Sequence, residues 1–284
     1  MIQIILRMAF TALLLMTSVL QAQQITGFAV YQSKTRLPEF QRERDMPADV
    51  AKQVEEQLKK QMEKTYTLKF TKTESIFIED QKITPSGKMP EGLKVNVIGT
   101  AGGKRYRNIQ RRENIAEDEI FGKEFLIVDS LRSWDWQLTS ESKKVGDYTC
   151  YKATATIKVT KEERDAFEKF KADKTDVKGR TIIREEPKDV ELTAWYAPEI
   201  PVNHGPDEYW GLPGLILEAS DGRTTMLCSK IVINPKDKVN ITKPVKGEKV
   251  TQKEFDDIRR RKIEEIHEVR QGRGDGTMQI RIGG

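Results

Sequence analysis

The feature that most constrains the fold of this chain is a long series of short segments typical of β-strands, with few helical segments between them. Turn sequences such as "TPSGKMPEG", "GTAGG" and "SDGR" separate several of these segments. The segments are "ITGFAVYQSK", "YTLKFTKTESIFIED", "LKVNVIG", "YRNIQRRE", "EFLIVDS", "WDWQLT", "YTCYKATATIKV", "ELTAWYA", "GLILEAS" and "TTMLCSKIVI". Because strand follows strand without alternating helices, the pattern indicates an antiparallel sheet and not a parallel βαβ architecture.

Helices are expected near each end of the strand series. The segment "DMPADVAKQVEEQLKKQMEKT" carries apolar residues at helical spacing from Val50 to Met62. Thr251 and Glu254 form a capping box that opens a helix at about 251–270. The predicted fold class is therefore α+β: a large curved antiparallel sheet, half-barrel-like, with a helix near each end of the mature chain.

The first residues are typical of a secretory signal peptide. Arg7 precedes an apolar run from Met8 to Met16, and cleavage is expected after Ala22, so that residues 1–22 are removed. The run is too short to span a bilayer, and no cysteine follows it that could take a lipid anchor. We therefore expect a protein that does not span the membrane and lies in the periplasm, at the cell surface or outside the cell.

Residues 23–284 are predicted to form a single domain with a charged insertion at about 161–189. The full chain has 49 Lys and Arg residues against 44 Asp and Glu residues, with both signs interspersed. A nucleic-acid-binding protein would carry a stripe of positive charge, so no nucleic-acid partner is expected.

Cys150 and Cys228 are the two cysteines of the chain, and export would take both to an oxidising compartment. Each lies on the more polar face of its strand by alternation, where a free thiol would be reactive. We expect a disulfide that closes a loop of about 80 residues and stabilises the fold by roughly 4–4.5 kcal/mol. The alternative is two unpaired thiols that are too far apart to meet.

The stretch "EIPVNHGPDEYWGLPGLILEAS" differs from the rest of this charged chain because it is rich in proline, glycine and aromatic residues. Gly205 and Pro206 predict one turn, and Pro213 with Gly214 predicts a type II turn in which Gly214 has a positive φ. Gly211 would allow a close backbone approach beneath a large ring. Each of these residues has a conformational role, so the stretch is interpreted as a fold signature.

The same stretch resembles the signature of the GLPGLI family of secreted Gram-negative bacterial proteins. The motif residues are Gly205, Pro206, Gly211, Leu212, Pro213, Gly214, Leu215 and Ile216. Two upstream segments, "WDWQLTSESKKVGDYTCYKATA" and "AWYAPEIP", are similar to further elements of the family, so the resemblance spans most of the mature chain. It implies export and a periplasmic or cell-surface setting, but no reaction, because the family has no established activity.

A non-catalytic binding or carrier protein of the cell envelope is the function that we expect, with a ligand of apolar character and no cofactor. Aromatic residues are expected to line an apolar trough in the curved sheet. They are Trp134, Trp136, Trp195, Tyr196, Tyr209 and Trp210. A structural or accessory partner of an envelope protein complex is an alternative.

A hydrolase is the remaining alternative, because His204, Asp207 and Glu208 are close in sequence. No catalytic residue is assigned, since no nucleophile motif accompanies them. A metal site is not expected either, because H-E-x-x-H and Cys/His clusters are absent from the sequence. His204 is interpreted instead as a loop histidine that stacks on Tyr209 or Trp210.

Overall fold

Twelve strands form one open sheet in this protein. The computed structural model describes residues 25–36, 52, 56, 62–80, 103–172 and 186–271. The strands are β1 (Gly27–Thr35), β2 (Lys64–Phe70), β3 (Glu74–Glu79), β4 (Lys104–Asn108), β5 (Glu113–Ile120), β6 (Lys123–Ser130), β7 (Gln137–Val145), β8 (Tyr148–Ile157), β9 (Val190–Ala197), β10 (Leu215–Ser220), β11 (Thr224–Ile233) and β12 (Glu248–Val250). Two helices with defined bounds accompany them in the described residues: α1 (Lys161–Ala172) and α2 (Gln252–Gln271).

The sheet consists of two antiparallel meanders that meet at its centre. Its strand order is β12-β6-β5-β4-β3-β2-β1-β11-β10-β9-β8-β7. The first meander runs from β1 to β6, and the second from β7 to β11. They are joined where β1 pairs with β11, over nine residues of β1 from Gly27 to Thr35. Residues 131–136 connect β6, near one edge, to β7, at the other edge.

One strand departs from the expected antiparallel arrangement. The three residues of β12 pair in parallel with β6, at Glu248–Val250 opposite Phe125–Ile127, so the sheet is mixed. Gly247, just before β12, has a φ of 103°, and a Cβ there would lie 2.6 Å from the Phe125 backbone carbon. The glycine therefore lets the chain approach β6 closely enough to add this edge strand.

The helix α2 spans Gln252–Gln271, and a helix was expected at about 251–270. Thr251 and Glu254 form the expected capping box: the Thr251 amide donates to Glu254 Oε2 at 2.8 Å, and the Glu254 amide donates to Thr251 Oγ1 at 3.2 Å. Phe255 is buried and packs edge-on against Phe125 of β6, with ring centroids 5.5 Å apart. This contact fixes α2 against the sheet.

The helix α1 lies between β8 and β9, at the start of the segment 161–189 that was expected to be a charged insertion. A second capping box opens it, since the Thr160 amide donates to Glu163 Oε2 at 2.8 Å. Of the early helix predicted in "DMPADVAKQVEEQLKKQMEKT", the described Lys52, Glu56 and Met62 are helical, and most of the rest lies outside the described residues. Within the described ranges, no helix is long and apolar enough to cross a membrane.

Most of the predicted strands that fall on described residues are confirmed, and two segments differ clearly. The segment "WDWQLT" is mainly a connection, because β7 begins only at Gln137. The sequence "ENIAEDEI" was not predicted as a strand, yet it forms β5 in the first meander. The predicted strands "LKVNVIG" and Met278–Ile282 lie outside the described residues.

The predicted disulfide is wrong for this structure, in which Cys150 and Cys228 are both free thiols. Strands β9 and β10 separate the strands of the two cysteines. Three strand spacings of about 4.8 Å amount to about 14 Å along the sheet, whereas a disulfide needs Cα atoms within about 7 Å. Cys150 is also not on a polar face: it is fully buried in the main core, and burial raises its pKa to about 11.

The main core lies where the two meanders meet. It contains Tyr31 from β1, Leu68 and Phe70 from β2, and Leu215 and Leu217 from β10. Ile216, between the two leucines, packs into a second cluster on the other face of the sheet. The strand that begins in the GLPGLI motif is therefore buried on both faces, as its continuous apolar run predicts.

Candidate functional site

The connection between β9 and β10, residues 198–214, folds back onto the strand that follows it. The Leu215 amide donates to the Ile200 carbonyl and the Ile216 amide donates to the His204 carbonyl, both at 3.0 Å. The Tyr209 amide donates to the Pro206 carbonyl at 3.0 Å, which closes the turn expected at Gly205-Pro206. These bonds give the loop a defined backbone beside β10.

The glycines of the motif are required for reasons other than those expected. Gly214 does not have a positive φ, so the predicted type II turn is wrong. Its amide donates to the Leu212 carbonyl at 2.8 Å, a three-residue turn around Pro213, and a Cβ at Gly214 would overlap the Ala197 carbonyl. Gly211 is the residue with a positive φ, 97°, and the ring beside it is that of Trp136.

Two arginines of β4 hold this loop from the other meander. The Arg107 guanidinium donates to the backbone carbonyl of Asp207 and, at 3.2 Å, to that of Tyr209. Arg105 pairs with the Asp207 carboxylate at 3.0 Å. Burial and the neighbouring Arg105 lower the pKa of Arg107 to about 9, so Arg107 stays charged at neutral pH. Its buried Nε has no hydrogen-bond partner in the described ranges.

The connection between β6 and β7 holds the same loop through its tryptophans. Trp134 Nε1 donates to the Glu208 carbonyl at 3.1 Å, and Trp136 Nε1 donates to the Trp210 carbonyl at 2.9 Å. In return, Trp210 Nε1 donates to the Arg132 carbonyl at 2.7 Å. Three indole N–H groups thus join two connections that are more than 70 residues apart in the sequence.

The structure brings five of the six aromatic residues expected to line a trough into one region. The ring of Trp134 lies 5.7 Å from those of Trp136 and Tyr209, and Trp136 and Tyr209 pack against the cluster that contains Tyr196. Trp195 is separate, because it points to the opposite face of β9, where Lys143 lies 4.3 Å from its ring. Most of these rings pack against one another and not around an apolar space.

His204 is fully buried, and its interpretation as a histidine stacked on Tyr209 or Trp210 is wrong. Its ring lies 6.5 Å from that of Phe70 in the main core. Burial and the charge of Arg107 lower the pKa of His204 to about 3, opposed in part by the Thr71 backbone. Neither ring nitrogen has a partner with hydrogen-bond geometry among the residues that the structure describes. Among the described residues, no group of three or more His, Cys, Asp or Glu side chains could hold a metal ion.

A polar cavity of about 460 Å³ lies beside the loop. The loop, β4, the end of β6 with the connection that follows it, and the first turns of α2 contribute to its walls. Its charged lining residues are Arg105, Arg107, Arg132, Arg259, Asp129, Asp207, Glu208 and Asp256. Trp210 is the aromatic residue of the expected trough that lines the cavity.

Glu208 is a partly buried carboxylate of the cavity with a raised pKa. Burial raises the pKa of its carboxyl, and the neighbouring Asp207 raises it further, against the effect of Arg105, Arg132 and Arg107. Asp207, by contrast, is paired with Arg105. The three residues proposed from sequence are therefore separated: Asp207 and Glu208 line the cavity, and His204 lies in the core.

The sequence did not reveal the residues that complete the cavity. Arg105 and Arg107 alternate with Tyr106 in β4, a pattern that reads as the solvated face of a strand, and Asp256 and Arg259 read as the polar face of a helix. A pairing that joins residues 100 positions apart has no local signal. Only the richness of the loop in proline, glycine and aromatic residues pointed to this region.

Comparison with known proteins gives similarity at the level of a domain. No curated protein matches the chain. Two solved structures of PNGF-II, in space groups P21 and C2, are similar to this chain, with TM-scores of 0.43 and 0.45 and a sequence identity of 12% in each case. The matches cover 82% and 83% of this chain, but this chain spans only 32% of the length of each PNGF-II chain. Residues 136–218, which include the GLPGLI motif and the loop 198–214, match the model of a family described as "Protein of unknown function (Porph_ging)".

Proposed function

We propose that this protein is a non-catalytic binding protein, exported to the cell envelope, that holds a small polar ligand in the cavity beside the GLPGLI loop. The observation that carries the proposal is the cavity of about 460 Å³, lined by charged side chains from four separate parts of the chain. Sites for small molecules typically have volumes of about 300–1,000 Å³ and a few convergent polar groups.

The connection between the two meanders supports a strongly curved, half-barrel-like sheet around this site. Strands β6 and β7 are ten positions apart in the strand order, about 48 Å along a flat sheet. Residues 131–136 can bridge at most about 25 Å, even when fully extended. The sheet therefore has to roll so that its two ends approach each other, and α2 closes one side of the space through Gln252 and Asp256.

The ligand that this site favours is polar, in contrast to the apolar ligand expected from the aromatic content. The aromatic rings pack against one another, and the indole N–H groups of Trp134 and Trp136 donate to backbone carbonyls. The space beside them is bounded mainly by guanidinium and carboxylate groups. An apolar ligand would desolvate these groups, at a cost of about 1–3 kcal/mol for each group that has no partner within the protein.

Native mass spectrometry of residues 23–284, purified from the periplasm of the source cell, tests the proposal. We expect a mass above that of the bare chain that is lost on denaturation. Ser130→Trp, which fills the cavity from its rim, should abolish the excess mass, whereas Ser140→Trp on the exposed face of β7 should retain it.

A bare chain in the wild type would overturn the binding role. A co-purified protein in its place would favour the accessory role in an envelope complex. An excess mass that persists in Ser130→Trp would show that a ligand binds elsewhere, and would overturn the assignment of the site.

A further inference from the structure

We propose that the ligand is a small zwitterion of the amino-acid or short-peptide type, whose ammonium group binds Glu208 and whose carboxylate binds Arg132. This inference rests on the proposed binding function and names the class of ligand. It follows from which charged groups of the cavity are already satisfied by the protein and which are not.

Most of the charged groups in the cavity are engaged within the protein. Arg259 pairs with Asp256 at 3.0 Å, as Arg105 does with Asp207. The Asp129 carboxylate accepts a hydrogen bond of 2.7 Å from the Gln252 amide at the start of α2. These groups shape the cavity, and each has at least one partner within the protein. Arg107 donates to the two loop carbonyls, and its buried Nε has no hydrogen-bond partner among the described residues.

Glu208 is the carboxylate of the cavity whose side chain has no hydrogen-bond or ion-pair partner among the described residues. Its pKa is raised because burial outweighs the attraction of Arg105, Arg132 and Arg107. Its backbone is nevertheless fixed, because its carbonyl accepts from Trp134 Nε1. A ligand ammonium group at this position would supply the missing donor.

Arg132 is the guanidinium that remains. Its Cζ lies 4.3 Å from the centre of the Trp134 ring, and it donates to no acceptor among the described residues. Stacking on an indole orients the planar guanidinium while leaving its N–H groups free. A carboxylate is the group that accepts two parallel hydrogen bonds from this fork.

Both groups are held on the same support, since Trp134 binds the Glu208 backbone through Nε1 and carries Arg132 on its ring. The positive and negative groups of the ligand therefore have to lie close together. A dianion would place its second charge beside Glu208, and a dication would place it beside Arg132. A free amino acid or a short peptide meets both requirements, and a cavity of about 460 Å³ has room for a dipeptide.

Isothermal titration calorimetry on residues 23–284 with the twenty free amino acids, the twenty Ala–Xaa dipeptides and sucrose tests the inference. We expect binding of at least one zwitterion. Acetylating its amine, or amidating its carboxylate, should weaken that binding at least tenfold in each case, because each change removes a charged hydrogen-bonding group.

Charge-removing variants assign each half of the ligand. Glu208→Gln should weaken binding of the free zwitterion about tenfold and leave binding of its acetylated form unchanged. Arg132→Gln should likewise weaken binding of the free zwitterion about tenfold and leave binding of its amidated form unchanged. The controls Glu124→Gln and Arg223→Gln change exposed side chains outside the cavity and should leave all affinities unaltered.

Equal binding of free and capped forms would overturn the inference. Binding of sucrose without binding of any zwitterion would also overturn the inference. If Ser130→Trp then abolished the sucrose binding, the proposed binding of a polar ligand in this cavity would stand, and only the assignment of the ligand as a zwitterion would be overturned. If no probe bound and native mass spectrometry detected no ligand, both proposals would fall. If no probe bound but a ligand of another class was detected, only the inference would be overturned.

Discussion

Gly214 shows how a single residue can be required for space and not for backbone conformation. Its φ is not positive, but a Cβ would overlap the Ala197 carbonyl, which is backbone and cannot move aside. The close approach aligns β9 with β10 just before Leu215 pairs with Ala197. The sequence pair Pro-Gly suggested a type II turn because that turn is the common use of the pair, and the distant carbonyl had no signal in the sequence.

We expect Gly214→Ala to lower the free energy of unfolding by about 1–3 kcal/mol, because the overlap has to be relieved by separating two strands. Gly146→Ala is the matched control: Gly146 has a φ of 58° and open space around it, so its cost should be about 1 kcal/mol. Urea denaturation of both variants measures the difference. A smaller loss for Gly214→Ala than for Gly146→Ala would contradict the steric explanation.

Because the pKa of His204 is lowered in the folded state, the stability of the protein should fall as the pH falls. Its pKa is about 3 in the folded state and about 6.5 when unfolded, so below pH 6.5 the unfolded chain binds a proton that the folded chain does not. Stability from this group is complete above pH 6.5 and is lost as the pH falls towards 3, by up to about 1.4 kcal/mol per pH unit.

The measurement is urea denaturation of the wild type and of His204→Leu at pH 7.5, 6 and 5. The wild type should lose stability relative to the variant as the pH falls, since the variant has no group that titrates at this position. Parallel pH profiles would show that His204 is not held neutral in the core.

At the scale of elements, the two connections 131–136 and 198–214 and the strand β4 form one interlocked unit. Arg107 is central to it, because its guanidinium is the donor for the Asp207 carbonyl and for the Tyr209 carbonyl at 3.2 Å. The element boundaries were largely predictable from alternation and turns, as β1, β6, β9 and β10 illustrate. The interlocked unit was not predictable from the sequence, because its hydrogen bonds join residues that are about 75–100 positions apart.

Arg107→Met should lower the free energy of unfolding by about 2–3 kcal/mol, because two buried carbonyls lose their donors. It should also raise the hydrogen-exchange rates of the Tyr209 and Gly211 amides, which close the turns of the loop. Arg105→Met removes only the half-exposed pair with Asp207 and should cost less than about 1 kcal/mol. Equal effects of the two variants would contradict the special role of Arg107.

At the scale of the whole molecule, the two meanders share one sheet and one core. Tyr31 of the first meander donates a buried hydrogen bond of 2.7 Å to the Ile216 carbonyl of the second, and β1 pairs with β11 along its length. An antiparallel sheet was predictable from the strand series. The order of its strands was not, since alternation identifies a strand but does not specify its neighbour.

We therefore expect the meanders to unfold in a single cooperative transition. All four tryptophans lie between residues 134 and 210, so fluorescence reports on the second meander and its connections, whereas far-UV circular dichroism reports on the whole sheet. The two melting curves should coincide. Tyr31→Phe should shift both by the same amount, and a shift of one curve alone would show that the meanders are separate folding units.

The pairing of β1 with β11 also has a consequence for how the chain is made. The ribosome delivers β1 to β6 first, and these strands can pair with their neighbours as they emerge. The other edge of β1 stays open until β11 arrives, almost 200 residues later. During that interval the protein presents an unpaired strand edge at the centre of its future sheet. Chaperones bind surfaces of this kind, and such an edge promotes aggregation when no chaperone covers it.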